Sequence, residues 1–194
     1  MTLSHRSELI VGGARSGKSR YAIAQANRTP RRTAFVATAE PLDAEMRARI
    51  ARHRAERPRD WTTVEEPFDL VRSCRRLARA HDLVVVDCLT LWVSNLLLRG
   101  DSDERILAAA EGLAGLLAER ALSLLLVSNE VGASVHPPTE AGLRFQALLG
   151  VVNQHVAAAA DRVTLMVAGI PVAIKDAPAE PPGVLAHERP AEAP

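Results

Sequence analysis

One stretch, Gly12-Gly13-Ala14-Arg15-Ser16-Gly17-Lys18-Ser19, constrains the fold more than any other part of the chain. Its spacing, a Gly, four residues, then Gly, Lys and Ser, is that of a loop wrapping a nucleotide's phosphates. Glycines let the backbone bend and come close, so that N–H groups converge on anionic oxygens. Such a loop works between a buried strand and a helix whose positive dipole end points at the same phosphates. Both are in place. Glu8-Leu9-Ile10-Val11 reads as a short buried strand, and Ser19–Ala26 as a helix with Tyr21, Ala22, Ile23, Ala24 and Ala26 as its apolar content. Lys18 is then expected on the β and γ phosphates and the Ser19 hydroxyl on Mg²⁺. The bland alternative is a Gly-rich turn with a chance Lys-Ser, and the strand–loop–helix order speaks against it.

Strands and helices alternate through the rest of the chain. Thr33–Thr38, Trp61–Val64, Leu83–Asp87, Leu122–Val127 and Arg162–Val167 read as strands. Helices are expected over Leu42–Glu56, Phe68–Ala80, Cys88–Leu98, Glu104–Ala121 and Glu140–Ala159. The continuously apolar Leu83-Val84-Val85-Val86 reads as a central parallel strand, covered on both faces. His136-Pro137-Pro138 is a loop, because adjacent prolines deny a ladder its donors. Val172-Ala173-Ile174-Lys175 should return antiparallel to Arg162–Val167 at the sheet's edge. The expected fold is therefore α/β, with a mostly parallel sheet and right-handed crossovers. A catalytic domain over residues 1–175 is followed at 176–194 by a Pro-, Ala- and Glu-rich tail that reads as disordered.

Ligands of such sheets bind outside the carboxyl ends of the strands. That rule gathers Gly12 to Ser19, Thr38 to Glu40, Glu65 and Glu66, Asp87, and Asn129 and Glu130 at one crevice. Asp87 ends an apolar strand and suits a carboxylate for Mg²⁺ or its water shell; capping the next helix is its alternative. Glu65 and Glu66 suit a ribose or base, or else cap the helix near Phe68.

Met46, Ile50, His53 and Arg57 fall on one face of their helix. A half-buried histidine on an amphipathic helix is the bland reading of His53. Yet Arg47, Arg49, Arg52, Arg54 and Arg57 surround it. Positive neighbours disfavour an imidazolium and keep a nucleophilic nitrogen free, while the arginines suit a triphosphate.

The chain's 194 residues carry a formal net charge of +1, which offers no general field for nucleic acid or anionic membrane. Cys74 and Cys88 lack metal-ligand spacing, and a disulfide framework is not expected. No apolar run is long enough to cross a bilayer and no signal-peptide pattern opens the chain, so a cytoplasmic protein is expected.

Taken together, these residues resemble the bifunctional adenosylcobinamide kinase / adenosylcobinamide-phosphate guanylyltransferase family. The resemblance rests on the phosphate loop, Ala37-Thr38-Ala39, and Asp43 to Ile50 followed by His53. It continues in Arg57-Pro58 with Trp61, Asp87-Cys88-Leu89-Thr90, Asn129-Glu130-Val131-Gly132 and Val152-Asn153-Gln154, covering about Glu8 to Lys175. It implies a three-layer, RecA-like P-loop fold assembled as a homotrimer. It also implies that ATP or GTP phosphorylates adenosylcobinamide, after which GMP passes from GTP through a guanylyl-histidine to give adenosylcobinamide-GDP and pyrophosphate. By position His53 matches that histidine. Gly12, Gly13, Ala14, Arg15, Ser16, Gly17, Lys18, Ser19, Thr38, Ala39, Glu40, Arg54, Ala55, Glu56, Arg57, Glu65 and Asp87 match nucleotide-contacting positions, with Ser19 and Asp87 on Mg²⁺. Two rivals remain: another P-loop kinase or ATPase with a structural His53, and a regulatory module that binds nucleotide without turnover.

Overall fold

The structure is a computed structural model that describes residues 6–28, 32–55, 57–133 and 136–176, with only the backbone of Arg49. The expected tail from 177 onward and Glu56 lie outside the described residues.

The strands are β1 (Ser7–Gly12), β2 (Thr33–Ala37), β3 (Thr62–Glu65), β4 (Leu83–Asp87), β5 (Ser123–Val127), β6 (Arg162–Val167) and β7 (Ile170–Lys175). The helices are α1 (Lys18–Ala26), α2 (Ala44–Ala55), α3 (Leu70–Leu77), α4 (Leu89–Leu98), α5 (Asp103–Glu119) and α6 (Glu140–Ala159). One seven-stranded sheet runs in the order β3-β2-β4-β5-β1-β6-β7. Neighbours are parallel except β6 and β7, the edge hairpin anticipated near the C-terminus.

Strand residues alternate between two apolar clusters, because successive side chains point to opposite faces. Leu9, Val36, Val84, Val86 and Leu126 join buried side chains of α3, α4, α5 and α6 on one face. Ile10, Phe35, Val85, Leu125 and Val127 meet Ala22 and Ala26 of α1 on the other. This gives the three layers of a P-loop α/β fold.

Helix ends are set by local chemistry. Asp69 accepts from the Arg72 N–H at 3.1 Å and starts α3 two residues later than the apolar pattern suggests. Ser102 and Thr139 cap α5 and α6 through Arg105 and Gly142. Helix α2 differs from the others. Met46, Ile50 and His53 on its inner side are only half-buried, and every other described side chain of the helix is exposed. The face predicted by three- and four-residue spacing is the observed one, but it rests on the body without entering the core.

Candidate active site

The phosphate loop leaves β1 at Gly12, whose φ of +152° and crowding exclude a side chain: a Cβ there would meet the Met166 carbonyl at 2.5 Å and Ser16 Oγ at 2.8 Å. Gly17 adopts the left-handed conformation and starts α1 with no side-chain cap, leaving the helix N-terminus available to an anion. Neighbouring strands brace the loop. Glu130 N donates to Gly12 O at 3.0 Å, and Gly169 N, in the β6–β7 turn, donates to Ser16 O at 3.1 Å. The buried Lys18 turns into the loop, with Nζ 2.9 Å from Gly12 O and 2.7 Å from Gly13 O. A cation folded back onto the loop carbonyls, at the uncapped N-terminus of α1, suits a phosphate-binding loop.

Asp87 ends β4, two strands from β1, with β5 between them. Strand spacing makes that separation about 10 Å, room for a phosphate chain and a hydrated cation. The Asp87 side chain is half-buried. Cys88, not Asp87, occupies the N-cap of α4, so the capping alternative for Asp87 is not realised. The Asp87–Cys88 peptide is cis. Burial, with Asp87 adding to it, pushes the Cys88 thiol up to about 12, so the neighbour of the acid stays uncharged.

Thr38 holds this end of β4 in place. Its hydroxyl donates to Cys88 O and accepts from Cys88 N, both at 2.7 Å. Its N–H donates to Asp87 O at 3.1 Å and its carbonyl accepts from Asn95 Nδ2 at 2.7 Å. Thr38 is completely buried, with its polar groups engaged inside the protein. Asn95 also donates to Pro67 O at 3.2 Å, tying the ends of β2 and β3 together.

Over β2 and β3 the crevice wall is cationic. The Arg57 guanidinium lies 3.7 Å from the centroid of the Phe35 ring. Burial lowers the Arg57 pKa and Arg54 adds to this, while Asp87 and Glu65 pull the other way. Arg57 Nε is buried without a hydrogen-bond partner. Arg54 reaches Glu65 at 3.9 Å across solvent. The two acids after β3 therefore part company. Glu65 faces the α2 cations, whereas Glu66 accepts from the Phe68 and Asp69 N–H groups at 3.1 and 2.9 Å and serves as a turn cap.

Most of the expected positions thus gather at one edge: the phosphate loop, Thr38 and the half-exposed Ala39 and Glu40, Glu65, Asp87, and the end of α2 with His53, Arg54, Ala55 and Arg57. Glu56 lies outside the described residues. Of the arginines around His53, Arg47, Arg52 and Arg54 are exposed, and Arg57 turns inward. The residues that fasten this edge carry a fainter sequence signal. Thr90, Asn95 and Asn153 are polar interruptions in apolar helices, and all three are buried.

Comparisons with known proteins agree with this architecture. A chain described as a prototypical ATPase from the type III secretion system of pathogenic bacteria superposes with a TM-score of 0.50 at 15% identity, over 82% of this chain and 50% of that one, a likeness of fold alone. The bifunctional adenosylcobalamin biosynthesis protein CobP of Pseudomonas aeruginosa is 44% identical over 171 residues, covering 88% of this chain and 98% of that protein. CobU of Escherichia coli, likewise named a bifunctional adenosylcobalamin biosynthesis protein, is 37% identical over 179 residues, covering 86% and 98%. The profile of the cobinamide kinase / cobinamide phosphate guanyltransferase family matches residues 8–174. A phosphate loop facing an acid-tipped strand, in a chain alike over nearly its whole described length, places this protein in the cobinamide kinase / cobinamide phosphate guanyltransferase family of cobalamin-synthesis transferases.

Proposed function

We propose that this chain phosphorylates the aminopropanol hydroxyl of adenosylcobinamide, using ATP or GTP, and then attaches GMP to the phosphate through a covalent guanylyl-His53. The observation that carries the second step is the placement of His53. It lies on the half-buried face of α2, one turn before Arg57, whose guanidinium sits over Phe35 within electrostatic reach of Asp87. A ring nitrogen of His53 attacks the α-phosphorus of GTP. The P–N bond forms, the α–β bridging P–O bond breaks, and pyrophosphate leaves. An oxygen of cobinamide phosphate then attacks the same phosphorus and frees the imidazole.

Both steps move a phosphorus group of a nucleoside triphosphate, and both require its charge to be neutralised. The loop N–H groups and Lys18 hold the phosphates, and Arg57 and Arg54 are the cations on the facing wall. The residues present suit Mg²⁺: the Ser19 hydroxyl and Asp87 carboxylate are the oxygen donors such an ion takes alongside phosphate oxygens and water. Among the described residues no group of three or more His, Cys, Asp or Glu forms a metal cage of its own. When bound, Mg²⁺ would withdraw charge from the phosphate oxygens.

Residues 1–175 form the catalytic domain in this reading, in a cytoplasmic enzyme assembled as a homotrimer. An exposed apolar strip, Val167, Ile170, Val172 and Ile174, supports assembly, and the mass in solution by light scattering tests it. None of the described helices is long and apolar enough to cross a membrane.

The deciding experiment incubates the protein with Mg²⁺ and GTP labelled on the α-phosphorus, then denatures it. Label should remain on the chain, survive base, fall off in acid, and vanish in His53→Asn. Nucleotide that binds without leaving label would return the protein to a P-loop kinase with a structural His53.

A further inference from the structure

Asn129 stands just past β5, the strand between the one that carries the phosphate loop and the one that ends in Asp87. Val127 pairs with Ile10 on one side and with Asp87 on the other. Asn129, two residues further on, therefore emerges at the floor of the crevice. Its neighbour Glu130 is bonded to Gly12 O at 3.0 Å, which fixes its distance from the loop.

The Asn129 backbone is clamped by two helices of one layer, α4 and α6. Its N–H donates to Thr90 Oγ1 at 2.8 Å, and its carbonyl accepts from Asn153 Nδ2 at 3.0 Å. Thr90 on α4 and Asn153 on α6 are both buried. Ser128 Oγ and Asn153 Oδ1 remain buried with no partner. Unpaired buried polar atoms destabilise a core, and a cluster that keeps them calls for a reason other than packing. The Asn129 side-chain amide, by contrast, is half-buried and makes no hydrogen bond to any described residue. Glu130 is no substitute, since it is exposed and its carboxylate accepts from Gly132 N at 2.9 Å.

We propose that Asn129 is a catalytic residue of the phosphoryl-transfer step, its side-chain amide aligning the acceptor hydroxyl with the γ-phosphorus, and that Thr90 and Asn153 are its positioning residues. The inference rests on the kinase reading of this site. In that reading Lys18 and Asp87 would serve phosphate and metal, so in-line placement of the acceptor falls to a group between them. A carboxamide suits the task because Oδ1 accepts from the hydroxyl while Nδ2 donates to a γ-phosphoryl oxygen. Catalysis of this reaction is mostly positioning and charge stabilisation. The acceptor oxygen bonds to the γ-phosphorus, the bond to the β–γ bridging oxygen breaks, and the nucleoside diphosphate leaves. The hydroxyl proton passes to the transferred phosphoryl group and on to water, so Asn129 carries none.

The test measures phosphorylation of adenosylcobinamide by wild type, Asn129→Ala and the isosteric Asn129→Asp, alongside nucleotide affinity from a fluorescent analogue. Loss of one aligned donor predicts a fall of about 100-fold in kcat, with nucleotide Kd changed by no more than about threefold. In both variants the loss of phosphoryl transfer should exceed any loss of His53 guanylylation, because guanylylation does not use this hydroxyl. Thr90→Val should lower kcat and Thr90→Ser restore it. A kcat near wild type in both Asn129 variants would overturn the inference alone. So would a loss of kcat that merely tracks lost nucleotide affinity or a lowered melting temperature. A wild-type protein that labels His53 but transfers no phosphoryl group would overturn the kinase reading, and the inference with it.

Discussion

Replacing Thr38 with Val removes one hydroxyl from the fully buried end of β2 and leaves shape and volume nearly unchanged. Two hydrogen bonds of 2.7 Å to the backbone of Cys88 are lost together. No cavity forms, so the cost is that of the polar groups left behind. An unpaired buried N–H at Cys88 costs about 1–3 kcal/mol, and the bond to Cys88 O contributes about 1 kcal/mol more. The expected destabilisation is about 2–4 kcal/mol, read from urea unfolding at equilibrium. Because the same hydroxyl fixes the peptide that follows Asp87, kcat should also fall, by up to about 100-fold for a displacement near 1 Å. Thr38→Ser keeps the oxygen and loses one methyl, so it should cost only about 1 kcal/mol and retain kcat. If Thr38→Val unfolds within about 0.5 kcal/mol of wild type, the clasp contributes nothing and the reasoning fails. If Val and Ser variants lose stability equally, burial of the methyl rather than the hydroxyl matters.

Gly12→Ala should destabilise by at least about 2 kcal/mol and abolish measurable nucleotide binding, since its Cβ would lie 2.5 Å from a backbone oxygen at a φ that side chains avoid. At Gly13 a Cβ would meet nothing within 4 Å, so Gly13→Ala should melt close to wild type, and equal losses at both sites would refute the steric account. Burial, with Glu66 adding to it, raises the Cys74 thiol from 9.0 to about 12. The unfolded thiol ionises first, so the stability it contributes is fully present below about pH 9 and is lost as pH rises toward 12. The slope approaches about 1.4 kcal/mol per pH unit. Urea unfolding of wild type and Cys74→Ala should therefore converge by about that amount between pH 9.5 and 10.5, and a constant gap would contradict the shift.

The parts of the site that were legible in the sequence are those whose chemistry is complete within a few residues. Gly12 to Ser19 carries its own backbone requirements, and the strand before it and helix after it follow from apolar content. The inner face of α2 follows from spacing alone, because a helix fixes which side chains share a side. Glu140–Ala159 and Leu83–Asp87 have the same bounds in the structure as in the sequence reading. Phe68–Ala80 begins instead at Leu70 because Asp69 supplies a cap that apolar periodicity does not register, and it ends at Leu77, where Ala78 is the C-cap.

Pairings between distant segments were not legible. Thr38 presents itself in the sequence as a crevice residue, yet its polar groups are engaged by Asp87, Cys88 and Asn95, 49 to 57 positions away. Glu65 and Glu66 are indistinguishable as letters, and only the turn into α3 makes one a cap and leaves the other facing Arg54. The sequence by itself determined that a phosphate loop stands between strand and helix, because backbone conformation and dipole are local properties. Tertiary structure alone decided that β5 lies between that loop and Asp87. Strand order is set by which faces bury together across the whole chain, and that order brings Asn129 to the floor of the crevice.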